Sequence, residues 1–217
     1  MEVAIPKVVV FDMGGVLGPD TDLRPIFTRA GPTADKDKID KAFKESWTKG
    51  RISDKYDMGE FWAPILDAAG VSRHEWEEVD REVRQQFLAF WQILGVADRV
   101  CRHGGRVGII SNHLSSWFDD WFQRFSLGTL FQEPELVLVS SRAASAKPDV
   151  DIYKQFLAQS GLQPSDCIFV DDKQNNVEAA QSLGFRGVKF RHIGKDGSLK
   201  QTAEELLQSL RDCGLSI

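Results

Sequence analysis

Four short apolar runs constrain the fold of this chain more than any other feature. They lie at Val8–Phe11, 107–110, 136–139 and 167–170, and polar or acidic residues follow each one. Uniformly apolar runs of this length read as strands of a parallel sheet buried on both faces. Helical patterns lie between and after the later runs, at Val150–Ser160, 175–183 and 199–213, and 187–190 reads as a fifth strand. Strand alternating with helix predicts an α/β fold, a doubly wound, Rossmann-like parallel sheet.

The stretch between the first two strands breaks this rhythm. From about residue 20 to residue 96 no strand-like run occurs, and Trp76, Val79, Val83, Phe87, Phe90 and Leu94 recur at steps of three and four. That spacing predicts one buried helix face. A strand–helix–strand crossover needs only about 30 residues, so the segment is too long to be one. The expected organisation is a sheet core of residues 1–18 and 97–217, with a helical cap of residues 19–96 inserted after the first strand. Hinges are expected near 18–20 and 95–98.

Composition excludes several classes. A net charge of -5 provides no basic surface for nucleic acid or an anionic membrane. No apolar run reaches the ~20 residues of a membrane span, and the start MEVAIPKVVV lacks the plan of a secretory leader. Cys101, Cys167 and Cys213 are odd in number and widely spaced, and read as reduced thiols of a cytoplasmic protein. A monomer or homodimer is expected, with no nucleic-acid or membrane partner.

In such a sheet, ligands bind at the carboxyl ends of the strands. Asp12 follows the first run, Ser111 and Asn112 the second, and Asp171 and Asp172 the fourth, with Asn176 just beyond; Lys147 lies in the polar loop after the third. Singly, each has an ordinary use, as a helix cap or a solvated loop residue. Together they make a chemical set. Converging carboxylates repel one another unless a cation sits among them, and hard oxygen ligands suit Mg²⁺. A hydroxyl, an amide and an ammonium are donors for phosphate oxygens. A carboxylate can then serve as nucleophile by forming an aspartyl-phosphate.

These residues in this order resemble the haloacid dehalogenase superfamily of hydrolases. FDMGGV resembles the first motif, GIISN the second, the lysine of AKPD the third, and FVDDKQNNVEAA the acidic fourth. The resemblance implies Asp12 as nucleophile, Ser111 as a phosphoryl holder, and Lys147 as the group that steadies both. It implies a phosphate site formed by Ser111, Asn112, Lys147, Met13 and Gly14. It also implies a Mg²⁺ site at Asp12, the Gly14 carbonyl and Asp172, with Asp171 beside it and Asn176 in support. The expected substrate is a small phosphorylated metabolite.

One position departs from the pattern. Phosphatases of this superfamily carry a second aspartate two residues after the nucleophile, as general acid and base, and here that residue is Gly14. Three readings follow: a phosphatase that compensates elsewhere, a carbon–halogen or carbon–phosphorus hydrolase, or a catalytically weak binding protein. The acidic pair Asp171–Asp172 argues against a dehalogenase. His113 is a candidate proton donor or, equally, a helix-start residue. Arg51 is either a surface arginine or a guanidinium aimed at an anionic substrate. Trp117, Phe118, Trp121, Phe122 and Phe125 space as a helix face for core or cap contact.

Overall fold

In the computed structural model, which describes residues 8–194 and 197–217, Val8–Phe11 forms strand β1 with all four residues buried. The beginning of the expected core segment, residues 1–7, lies outside the described residues. Strands β2 (Arg106–Ser111), β3 (Val137–Val139), β4 (Cys167–Asp171) and β5 (Arg186–Lys189) join it in one parallel sheet, ordered β3-β2-β1-β4-β5. Alternate residues feed two cores. Val9, Phe11, Ile109 and Ile168 face one, and Val8, Val10, Ile110 and Phe169 face the other. That two-residue period, apolar on both faces, is what a sheet covered by helices on both sides requires.

Among the described residues ten α-helices complete the fold. Four of them fill the stretch before β2 without a strand: α1 (Arg24–Ala30), α2 (Lys36–Gly50), α3 (Met58–Ala69) and α4 (Trp76–Gln85). Asp35 and Asp57 start α2 and α3 by accepting backbone N–H bonds from Lys38 and Glu60. Next comes α5 (Trp91–Arg102), which packs on β2 and on α10 (Ala203–Asp212). The remaining helices are α6 (Ser115–Arg124), α7 (Ser140–Ala143), α8 (Val150–Ser160) and α9 (Gln174–Ser182). Helices α8 and α9 cover the second core through Ile152, Tyr153, Phe156 and Ala180.

One expectation is corrected here. The face running from Trp76 to Leu94 belongs to two helices, because α4 ends at Gln85 and α5 starts at Trp91. Phe87 and Phe90 lie in the turn between them, where the Phe90 N–H donates to the Leu17 carbonyl at 2.8 Å. Residues 95–98, where a hinge is expected, lie inside α5, which packs on β2.

The last helix also starts later than expected. Thr202 and Glu205 form a reciprocal cap ahead of Ala203, while Leu199 is exposed and bridges to Ile193. All three cysteines are free thiols, as expected. Among the described residues no helix is long and apolar enough to cross a membrane.

Candidate active site

The strand order reverses at β1: β2 and β3 lie to one side, β4 and β5 to the other. Side chains at the carboxyl ends of β1 and β4 therefore meet over a crevice. Ligand atoms of Asp12, Asp171 and Asp172 all fall within 4.8 Å of one another there.

Lys147 organises this cluster. Its ammonium is buried and stands 2.7 Å from both Asp12 Oδ1 and Asp171 Oδ2, and it also donates to the Ile110 carbonyl at 2.7 Å. The lysine is held in turn by Asn112. The Asn112 amide donates to the Lys147 carbonyl, and the Lys147 N–H donates back to Asn112 Oδ1, each at 2.9 Å. Asn112 lines the cavity, and both ends of its side chain also hold the lysine backbone, a positioning task.

The three carboxylates differ in what remains free. Asp171 accepts at Oδ1 from the Lys173 N–H at 2.8 Å and at Oδ2 from Lys147, while the Asn176 amide donates to both oxygens at 3.0 Å. A carboxylate has about four lone-pair positions, so Asp171 is saturated. It serves as an anchor for Lys147 while staying within the same carboxylate cluster. Asp172 is the opposite case. Oδ2 pairs with Arg191, but Oδ1 is buried without a hydrogen-bond partner, the Lys173 ammonium lying 3.8 Å away. On Asp12, Oδ1 takes both donors, Lys147 and the Met13 N–H at 2.7 Å, which leaves Oδ2 with no donor among the described residues. Burial first, and then the charge of Asp171, push the Asp12 carboxyl up to about 7 against the pull of Lys147.

A cavity of about 270 Å³ opens on this cluster. Asp12, Met13, Gly14, Asn112 and Lys147 form its floor, and Trp47, Arg51 and Phe87 from the helical segment stand on its wall. Ser111 lies beside the cavity, at the end of β2, with its hydroxyl buried and unpartnered. His113 also lines the cavity but packs against Trp47, Phe87, Trp117 and Phe118. Burial pushes it down to about 4, so the ring is neutral at pH 7 and is a poor proton donor. Trp117 meets Trp47, Phe61 and Trp62, so the aromatic face of α6 packs against α2 and α3.

A family model described as haloacid dehalogenase-like hydrolase matches residues 23–190. The chain belongs to the haloacid dehalogenase-like hydrolases. Flavin mononucleotide hydrolase 1 of Arabidopsis thaliana is 32% identical over 75 residues, covering 35% of this chain and 26% of that protein. The chain spans between 18% and 40% of the length of the first curated relatives it matches. A family enzyme from Bacteroides thetaiotaomicron, solved with magnesium and inorganic phosphate, is 20% identical with a TM-score of 0.64, over 84% of this chain and 93% of that one. The L-2-haloacid dehalogenase of Xanthobacter autotrophicus, with chloropropionic acid covalently bound, is 17% identical with a TM-score of 0.62, over 89% and 80%. Both structures share the fold of this haloacid dehalogenase-like hydrolase.

Three polar residues of this hydrolase's site escape sequence reasoning. Asp20 lines the cavity, and its Oδ1 lies 3.4 Å from where a Cβ on Gly14 would stand. The turn after β1 puts it there: the Leu17 and Gly18 N–H groups both bond the Met13 carbonyl, and the Gly15 N–H bonds the Gly18 carbonyl, so the chain curls back over Gly14. Arg191, after β5, bridges Asp20 and Asp172, with Nη1 3.0 Å from Asp20 Oδ2. Lys173 is the third, next to the acidic pair. Its place in DDK was the only signal in the sequence; the other two depend on turn geometry.

Proposed function

We propose that this hydrolase is a Mg²⁺-dependent phosphatase that acts on a small phosphorylated metabolite through an aspartyl-phosphate on Asp12. The observation that carries the reading is the asymmetry of Asp12: one oxygen held by two donors, the other free beside the cavity. A held carboxylate with one free oxygen is an oriented nucleophile.

The residues present suit a Mg²⁺ ion. Asp172 Oδ1 is a buried carboxylate oxygen without a partner, and Asp172 brings a ligand oxygen within 4.8 Å of one from Asp12. Asp12, the Gly14 carbonyl and Asp172 would hold the ion, with water completing the shell. When bound, Mg²⁺ supplies positive charge that offsets the carboxylates and the phosphoryl oxygens.

The chain's own groups do the rest. Asp12 Oδ2 attacks phosphorus while Lys147 orients the carboxylate and favours its ionised form against the pull of burial. The unpartnered Ser111 hydroxyl is a donor for a phosphoryl oxygen. Asp20 fills the space left by Gly14 and is the carboxylate available to protonate the leaving oxygen and then to take a proton from the attacking water. We assign residues 19–90 as the cap, which contributes Trp47, Arg51 and Phe87 to the wall and keeps bulk water from the acyl-phosphate.

The test is product analysis on purified protein. Release of inorganic phosphate from aryl phosphates, dependent on Mg²⁺, supports the reading. Chloride release from 2-chloropropionate without metal would reassign the chain to carbon–halogen cleavage. Ester binding without turnover would make it a binding protein.

A further inference from the structure

Arg51 stands where the sequence left two readings open, and the structure separates them. The residue ends α2 and lines the same cavity as Asp12 and Lys147. Its guanidinium is half-buried, and Nε is fully buried with no hydrogen-bond partner. Burial alone acts on its ionisation, lowering its pKa, and no carboxylate opposes that. The carboxylate three residues on, Asp54, is taken by the Ser115 hydroxyl at 2.5 Å and lies 3.8 Å from Arg142. An arginine withdrawn from water without an anion is costly, because guanidinium groups away from water are normally paired.

The position is built. The Ser140 hydroxyl, itself buried, donates to the Arg51 carbonyl at 2.5 Å and accepts from the His113 N–H at 3.0 Å, tying the end of α2 to the loop after β2. Gly50 lets the helix end come that close, since a Cβ there would sit 2.6 Å from Leu114 Cδ2. Lys147 and Lys173 supply charge on the side of the acidic cluster, so Arg51 is a further cationic group, held on the cap side.

We propose that Arg51 receives a second anionic group of the substrate, so that this hydrolase acts on short phosphate esters carrying a carboxylate or another phosphate. The proposal rests on the phosphatase reading above and narrows its substrate class. A cavity of about 270 Å³ lies at the small end of ligand sites, which fits a compact diacid better than a bulky ester. The planar fork of arginine suits either anion by paired N–H bonds.

Calorimetry with Mg²⁺ on the Asp12→Asn protein tests this without turnover, using 2-phosphoglycolate, ethanediol bisphosphate and ethyl phosphate as probes. At least one doubly anionic ester should bind about tenfold or more tighter than ethyl phosphate. Adding Arg51→Gln should cut that preference by roughly ten- to a hundredfold, and Arg51→Lys should retain part of it. Which of the two favoured esters binds tighter names the second group. Equal binding of all three by the parent protein overturns the proposal without any Arg51 variant. So does a preference that survives Arg51→Gln, or an equal loss across all three esters, which would place Arg51 on the transferring phosphoryl group. Hydrolysis of p-nitrophenyl phosphate by the unmodified protein reports separately on the phosphatase reading, so the two ideas can fail apart.

Discussion

Asp20 Oδ1 stands 3.4 Å from the point where a side chain on Gly14 would begin. A carboxylate six residues along the chain thus stands close to the position of the first motif that lacks one. If Asp20 carries the proton, Asp20→Asn should lower kcat on alkyl phosphates by about 10²–10⁴ and leave activated aryl phosphates much less affected. It should also let the phospho-enzyme build up in rapid-quench experiments, because water then lacks a base. The wild-type protein should show neither behaviour strongly, which revises what Gly14 alone suggests. A flat response of the whole ester series to Asp20→Asn would remove Asp20 from the mechanism.

Gly14 has no left-handed φ, and the contact a Cβ would make is ordinary in length. Gly14→Ala should therefore fold with little change in Tm. Gly14→Asp is a different case, since it sets a carboxylate against Asp20 in a partly buried place. That variant should be less stable than Gly14→Ala, and Asp20→Asn added to it should recover the difference. Thermal melts of the three proteins at pH 7 are the check.

Lys147 is buried between two carboxylates. Lys147→Met keeps much of the volume and removes the charge, which leaves Asp12 and Asp171 without their cation. The expected cost is about 3–5 kcal/mol, read as a drop of roughly ten degrees in Tm. An unchanged melting temperature would mean that the two carboxylates do not depend on the lysine.

The pH dependence follows from Asp12. Its carboxyl is pushed up to about 7 in the folded protein against 3.8 for a free aspartate side chain, raised chiefly by burial and then by Asp171. Between those values the folded state binds more protons than the unfolded one, so stability falls as pH rises from about 4 to about 7. In EDTA, wild type should lose Tm relative to Asp12→Asn across that window, and Mg²⁺ should oppose the loss. A gap between the two proteins that stays constant over the window would contradict this.

How much of this the sequence disclosed depends on the range of the interactions. The strand VVVF and the ends of α8 are legible because burial on both faces and an Asp149 cap are local properties. The break between α4 and α5 is not. Phe87 and Phe90 keep the helical spacing while the chain turns, and neither glycine nor proline marks the place. The start of α10 was written in Thr202 and Glu205, a cap whose signal outranks the apolar Leu199 before it. In the site, the motif residues were legible by type. What each one does was not, because Asn112 and Asp171 hold Lys147, and only coordinates show that. Asp20 and Arg191 meet 171 residues apart in sequence, through a turn and a strand end that no local pattern connects.

Asp80 illustrates the same limit in the helical segment before β2. It is a buried aspartate in α4 whose Oδ1 accepts from the indoles of Trp62 at 3.0 Å and Trp117 at 2.7 Å, while Oδ2 pairs with Arg84 at 2.8 Å. One carboxylate thus ties α3, α4 and α6 together. Asp80→Ala strands two buried indole N–H groups, each costing about 1–3 kcal/mol, so a loss of about 2–5 kcal/mol is expected. Urea unfolding gives the value, and a loss below about 1 kcal/mol would show that water or a shift of the helices replaces the bonds.

The central claim is that Asp12 performs Mg²⁺-dependent phosphoryl transfer, and the most direct measurement is p-nitrophenyl phosphate hydrolysis by wild-type and Asp12→Asn protein, each with Mg²⁺ and with EDTA. The account predicts turnover by wild type in Mg²⁺, its abolition by EDTA, and a loss of about 10³-fold or more in Asp12→Asn. Turnover that survives EDTA, or an Asp12→Asn protein within tenfold of wild type, would contradict it.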